Sequence, residues 1–532
     1  FIGLPIFLFL LYSYTVSSDM FFADDFHLLK TVVWVQESSS FFEIVALFFQ
    51  QHNEHRIIVP RLLTFLDYYL EGHINWRTLI LLGNIIWAAN IWFFWKVFKY
   101  FQLPIWMFIA VPFIFLNPLY YDNISWTISI LQQSVIIFWF TLLCYLGARE
   151  NYKLALIVAV IATFTHGNGI FSFLIGIVFA LMDRNWSVVI KWSIVWVLIG
   201  VLYFWGFEKG QAAGYAESLS EPVRLIRSFF AFFGSLTLVK FDNFYFPVIL
   251  GGGVVLVLVL YLLPKFKIVL KQEKSIDWAD KMLFGVWIFL GITALLISVS
   301  RSWGGIENIL APRYMHYSPY ITCWVYIIIL QYFGFKTARI LAIIALPIVL
   351  LFNFLTYFET NEMIQYRKNW LTADKSNWSN HQVMLNYEKS FNLNIQETYN
   401  DALRAGICNP VTTLPMVKPG EGTYNHNLSF EVYSVVKSEA SLDKKFKKNY
   451  LNLKENTIQG DAFLYLWHDS GAGYWVPSIK EHNGIIAFFT TGHLTKPGFW
   501  AYVLTANLPS GNYKVGVWNK QKFEWTDQVV EI

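Results

Sequence analysis

The chain has 532 residues, 56% hydrophobic and 19% aromatic, with 14% charged residues and a net charge of +4. Soluble domains carry about a quarter charged residues, so this composition points to long membrane-spanning stretches. The charge is too small and too dispersed for a nucleic-acid partner, and three scattered cysteines, Cys144, Cys323 and Cys408, provide neither a disulfide framework nor a metal motif.

A span needs about 20 mostly apolar residues. That criterion predicts a polytopic α-helical membrane protein with about eleven spans, near 1–16, 77–97, 104–120, 126–147, 153–166, 169–182, 188–206, 245–263, 282–299, 318–334 and 338–357. The first lacks a convincing small-residue cleavage site and is expected to be a retained span, not a signal peptide. Residues 17–76 form a long loop in which FFEIVALFFQQHNEHRIIVPRLLTFLDYYL has near-helical apolar spacing, predicting two amphipathic helices on the membrane face interrupted at Pro60. EPVRLIRSFFAFFGSLTL, within 207–244, predicts a similar surface helix. Lys96, Lys99, Arg149, Lys153, Arg184, Lys191, Lys336 and Arg339 gather in loops of one side, whereas 117–125 and 166–169 have no Lys or Arg. The first side is therefore expected to be cytoplasmic. The 17–76 loop, the 300–317 loop and the tail would then face the periplasm of a bacterial inner membrane.

After residue 357 the composition turns polar. Three domains are expected: 1–357 in the membrane, a helical periplasmic connector over 358–414, and a β-sandwich-like domain over 415–532, where short alternating runs such as DAFLYLWHD and NYKVGVW alternate with turns.

The densest set of ionisable groups follows the first span. Asp24 and Asp25 stand just past its end, and His52, Glu54, His55, Arg56 and Arg61 lie between two apolar, aromatic runs. Such groups at a bilayer surface are costly to desolvate and mark function by default. Adjacent side chains cannot point the same way on a regular element, so one aspartate is expected to act as base or metal ligand; an interfacial carboxylate or helix cap is the plainer reading. His52, Glu54 and His55 run H-x-E-H, not the HExxH of zinc sites. A divalent metal such as Mg or Mn, an anionic substrate group and a structural polar network all stay open there. Arg56 and Arg61 suit phosphate, which guanidinium grips bidentately. The 300–317 loop adds Arg301, Glu307, Arg313, Tyr314 and His316. Its arginines either snorkel to headgroups or hold a lipid-linked phosphate. His166 and Asn168 in THGNG read as a polar turn, and Gln132 with Gln133 is the main mid-span polar pair.

A first span, the outer DDF, paired amphipathic helices around HNEHR…PRL and a later outer loop with APRY together resemble the GT-C superfamily of integral-membrane glycosyltransferases, bacterial members in particular. The resemblance covers roughly residues 1–357. It implies transfer of a sugar from a polyprenyl-phosphate-linked donor to a glycan or lipid-linked acceptor among membrane lipids, with the acidic residue after the first span, Asp24 or Asp25, as base or metal ligand. HNEHR is not a superfamily-wide motif, so Glu54 and its neighbours take no role from it. A non-catalytic scaffold presenting the tail, or a transporter of lipid-linked saccharide, is the alternative.

Overall fold

The computed structural model describes residues 2–208, 214–239, 243–271, 276–440, 445–458 and 460–532. The chain divides into two compact units. One comprises residues 1–15, 34–66 and 78–357; the other comprises 16–33, 67–77 and 358–532.

The first unit is helical. With the helix Phe335–His381, eight helices among the described residues are long and apolar enough to cross a membrane. Seven match expected spans: Trp76–Tyr100, Ile105–Ser125, Thr127–Ala148, Trp186–Phe204, Tyr245–Lys267, Trp278–Gly304 and Phe335–His381. The eighth, Pro222–Val239, was expected only as a surface helix. Its strong amphipathicity suggested the membrane face, but two glycines let it pack backbone to backbone. A Cβ on Gly251 would stand 1.8 Å from the Phe230 carbonyl oxygen, and one on Gly234 2.0 Å from that of Pro247. Three further expected spans are apolar helices of shorter length, Gly3–Val16, Tyr152–Thr163 and Gly167–Met182. Another is the helix Tyr317–Tyr332. Of the eleven expected spans seven therefore meet the length criterion, and Pro222–Val239 brings the candidates among the described residues to eight.

Lipid tails are as apolar as leucine, so such helices are joined by packing and polar contacts, not by expulsion of water. The joints are visible here. Trp87 lies against Phe115 at 4.2 Å and donates its indole N–H to Tyr120 Oη at 2.9 Å. Phe140 stacks on Phe289 at 3.8 Å. Asn84 Nδ2 donates to Ser13 Oγ at 2.9 Å. Charges are matched as well: Lys281 pairs with Asp183, and Lys265 with Asp280.

The long first loop folds as the helix Phe41–Phe49, a hairpin of β1 (Gln51–His52) and β2 (His55–Arg56), and the helix Ile58–Glu71. Pro60 sits in the first turn of that last helix, where its missing N–H costs nothing, so it starts the helix and does not interrupt it.

In the second unit the polar end of Phe335–His381 and the helix Lys389–Arg404 accompany eight strands. These are β3 (Thr423–Tyr424), β4 (Glu431–Ala440), β5 (Lys445–Glu455), β6 (Phe463–His468), β7 (Gly473–Ile479), β8 (Phe499–Leu504), β9 (Asn512–Trp518) and β10 (Phe523–Glu531). They form one sheet in the order β3-β10-β9-β6-β7-β8-β5-β4, a half-barrel in place of two facing sheets. The central strands bury both faces. Leu464, Leu466, Tyr474 and Val476 join one core, while their neighbours Phe463, Tyr465 and Trp475 join another with Phe523 and Trp525. A helix covers the second face: Ala373 packs there, and Asn377 exchanges hydrogen bonds with the Trp475 backbone at 2.8 Å. With a helix serving as the opposing layer, no second sheet is needed to bury the alternating aromatic residues.

Candidate functional site

The β1–β2 hairpin pairs Gln51 with Arg56 and His52 with His55. Its turn is Asn53–Glu54, and Asn53 takes φ +48, a left-handed conformation that Asn tolerates better than most residues. The hairpin is held by the two arginines read as phosphate ligands. Arg56 donates through Nε and both Nη atoms to the carbonyls of Tyr203, Phe49 and Trp205. Arg61, 2% exposed, donates to Phe48 O at 2.9 Å and to Gln50 O. Several of these oxygens close the end of Phe41–Phe49, where a helix leaves carbonyls without partners and favours a cation. Arg56 and Arg61 are thereby committed to backbone. His52 is buried, with Nε2 3.3 Å from Asn53 Nδ2.

Glu54 and His55 meet a different set of groups. They line a cavity of about 360 Å³ with Gln133, His166, Asn168, Arg301 and Tyr314, walled by Phe171, Phe204, Phe207 and Leu296. The His55 ring lies 4.2 Å from that of His166. Gly167 makes room for it, since a Cβ there would come within 2.6 Å of His55 Nδ1. His166 Nδ1 is 2.7 Å from Asn168 Oδ1, and its Nε2 is 3.2 Å from Gln133 Nε2. A neutral ring with the proton on Nδ1 satisfies both contacts. Burial pushes the His166 pKa down to about 4. Burial, then His166, His52 and Arg301, hold His55 well below the usual histidine range. Both imidazoles are therefore neutral hydrogen-bonding groups at physiological pH.

The cationic side comes from the 300–317 loop. Arg301 reaches within 3.9 Å of Glu54 Oε2. The Arg313 guanidinium lies 5.1 Å from the Tyr314 ring centre. Burial pushes the Tyr314 phenol up, but Arg313 and Arg301 beside it prevail and hold it below its ordinary value. Behind this loop His316 sits between Asn123 Nδ2 and Gln133 O, each at 2.8 Å, and Asn123 also donates to Arg313 O at 3.2 Å.

Gln133 lies in a π-helical turn, Ile130–Ser134. Such turns re-aim side chains and recur at functional sites. The mid-span Gln132–Gln133 pair was the sequence signal for it; nothing in the sequence marked Asn123, Tyr203 or Thr293, although Asn168 Nδ2 donates to Thr293 Oγ1 at 3.2 Å. Three buried polar atoms of the residues lining this cavity have no hydrogen-bond partner among the described residues: Glu54 Oε1, His55 Nδ1 and Gln133 Oε1. Buried polar atoms are ordinarily satisfied. The cavity thus offers hydrogen-bonding capacity suited to hydroxyl groups, arginines for a negative group, and aromatic walls.

Asp24 and Asp25 belong to the other unit. Asp25, 1% exposed, accepts the Phe22 N–H on Oδ2 at 3.1 Å. Ala23 between them takes φ +47 and donates its N–H to Tyr387 Oη at 2.9 Å. Asp24 is half-buried. Of the sequence-predicted residues, Glu54, His55, Arg301 and Tyr314 share one cavity, with Arg313 against Tyr314; His52, Arg56 and Arg61 support the hairpin. For the Mg or Mn ion left open by the sequence, no group of three His, Cys, Asp or Glu side chains placed to hold a metal occurs among the described residues.

No family model, curated protein or solved structure matches this chain.

Proposed function

We propose that the chain is a GT-C-type membrane glycosyltransferase, carrying a sugar from a polyprenyl-phosphate-linked donor to a periplasmic or lipid-linked acceptor. The observation that carries this reading is the cavity in which Glu54, His55 and Gln133 present unpartnered polar atoms beside Arg301 and Tyr314. Sugar transfer requires recognition of hydroxyls, stabilisation of a departing phosphate by fixed positive charge, and a carboxylate to take the acceptor proton. Arg301 and Arg313 fill the second role, and Glu54, His55 and Gln133 the first. For the third, the superfamily resemblance implies Asp24 or Asp25, and Glu54 in the cavity is a further candidate. The aromatic walls provide stacking surface for a sugar ring. Lys and Arg asymmetry supports a bacterial inner-membrane placement with the tail in the periplasm.

The test uses the full chain in lipid nanodiscs with polyprenyl phosphate, the product common to every such donor. It should raise the melting temperature of the wild type and leave Arg301→Gln unmoved. Equal stabilisation of both, or of neither, would refute the assignment of Arg301 to the donor phosphate.

A further inference from the structure

The first unit holds a second, larger cavity of about 990 Å³ where two of its apolar helices begin. Arg224 and Arg227, on the opening turns of Pro222–Val239, line it with Tyr245 and Val248 of Tyr245–Lys267 and with Ile306 and Glu307 of the 300–317 loop. Its level in the bilayer follows from the second of those helices. From Tyr245 to Pro264 no residue is charged, and Lys265 is the next. At 1.5 Å per residue that run is about 30 Å long, the hydrocarbon thickness of a bilayer. Tyr245 therefore marks the level at which this helix meets the headgroups, a favoured place for tyrosine. The Arg227 guanidinium, 6.0 Å from the centre of the Tyr245 ring, stands at the same level.

The charges of the cavity are of both signs and are not all spent on each other. Arg224 pairs with Glu221 at 3.0 Å and donates Nη2 to Glu217 O at 3.1 Å. Its Nε is a buried donor with no hydrogen-bond partner among the described residues. Neither Arg227 nor Glu307 has an ion pair among those residues. The Glu307 carboxylate lies over Gly305, which takes φ +102 and whose missing side chain leaves the room: a Cβ there would stand 2.3 Å from Oε2. A simple anion would suit the guanidinium groups but meet repulsion from Glu307, and a simple cation the reverse. A ligand carrying both signs matches both.

We propose that this cavity is a binding site for phosphatidylethanolamine, with the lipid phosphate on Arg227 and Arg224 Nε and the ammonium on Glu307. Guanidinium N–H groups and a primary ammonium both make charge-assisted hydrogen bonds to their opposite charges, whereas a trimethylammonium group has no N–H to donate. Val248 and Ile306 provide the apolar wall for the start of the acyl chains. An arginine that only snorkels accepts any headgroup phosphate; Glu307 makes this site selective by rejecting lipids with net negative charge. The lipid is held and not consumed, so the site stands independently of the transferase reading.

The test titrates the full-length protein in detergent with phosphatidylethanolamine, phosphatidylcholine or phosphatidylglycerol of identical acyl chains and follows the melting temperature. Phosphatidylethanolamine should raise it at the lowest concentration. Arg227→Gln should increase the concentration needed about tenfold or more, the worth of one charge-assisted hydrogen bond. Glu307→Gln should lose the preference for phosphatidylethanolamine by admitting phosphatidylglycerol, a gain of response that general destabilisation does not produce. Arg227 and Glu307 are exposed, so both variants should melt like the wild type without lipid, and the wild-type comparison decides alone if either does not. Equal shifts from the three lipids in the wild type would leave only snorkelling and overturn the proposal. A wild-type preference for phosphatidylglycerol, no shift with phosphatidylethanolamine, or wild-type responses in both variants would overturn it too.

Discussion

The contact between Glu54 and Arg301 is the joint between the hairpin and the 300–317 loop, and it can be weighed by a double-mutant cycle. The two atoms are 3.9 Å apart, and the side chains are 17% and 25% exposed. At that distance and an effective dielectric of about 20, Coulomb attraction is about 4 kcal/mol. Partial exposure and the cost of ordering both side chains reduce it. Exposed pairs give about 0–1 kcal/mol, and breaking a buried pair costs about 3–5 kcal/mol. This pair lies between, so the coupling expected between Glu54→Gln and Arg301→Gln is about 1–3 kcal/mol. Arg301→Gln should be the costlier single change, because Arg301 also interacts with Tyr314 and its loss leaves Glu54 without its cation. The assay is denaturant unfolding of all four proteins in identical nanodiscs, read by a probe on the 300–317 loop. A coupling within the about 0.3–0.5 kcal/mol scatter of independent sites would refute the pairing and, with it, the closure of the cavity by this loop.

Two further outcomes follow from other parts of the chain. Gly251→Ala forces a Cβ against the Phe230 carbonyl and should lower stability by about 1–3 kcal/mol or more, whereas Gly252→Ala, with open space around it, should be tolerated; thermal melts of the two variants decide. Burial raises the Asp67 carboxyl from 3.8 to about 7, Glu71 and Asp19 adding to the rise and the Asn75 N–H opposing it, so the folded chain binds the proton more tightly than the unfolded one, stability should fall as pH rises from about 4 to 7, and Asp67→Asn should flatten that slope in melts across this range.

Apolar length and helical spacing were legible because they are local: seven of the eight candidate membrane helices can be read from hydropathy alone. Pro222–Val239 reads from its sequence as a surface helix because amphipathicity along one helix cannot show that Gly234 and Gly251 open its backbone to a neighbour. The half-barrel shows the same limit. Alternation of Phe463, Leu464, Tyr465 and Leu466 announces a strand buried on both faces, but whether a sheet or a helix covers the second face is a long-range fact, settled here by Ala373 and Asn377. For the site, residue type was legible and role was not. Arg56 and Arg301 are equally cationic in the sequence, yet Arg56 spends its donors on three carbonyls while Arg301 lines a cavity. Backbone demand for a cation leaves no mark in composition. Gln133 owes its place to a π-turn, a register change that no hydropathy pattern records.

Asp24 and Asp25, an indivisible pair in the sequence, differ in burial and in their backbone contacts. Asp25 is buried and already accepts the Phe22 N–H, so its carboxylate serves the turn that opens the next helix. Asn can accept the same hydrogen bond through its side-chain oxygen, so Asp25→Asn should keep the fold, while Asp25→Ala should cost about 1 kcal/mol as lost caps do. Asp24 is more exposed than Asp25 and follows Ala23 in a left-handed conformation that an alanine adopts only when its surroundings impose it. Backbone strain of this kind collects where a side chain must be aimed. If Asp24 is the general base of the proposed transfer, Asp24→Asn should lower the rate by about 10²–10⁴-fold with an unchanged melt, and Asp25→Asn should leave the rate near that of the wild type. The measurement is release of polyprenyl phosphate from a polyprenyl-phosphate hexose by each purified variant. Full activity in Asp24→Asn would remove that aspartate from the chemistry and pass the role of base to Glu54, whose Oε1 has no hydrogen-bond partner among the described residues; loss of activity in Asp25→Asn at full stability would instead show that the capping carboxylate is the catalytic group.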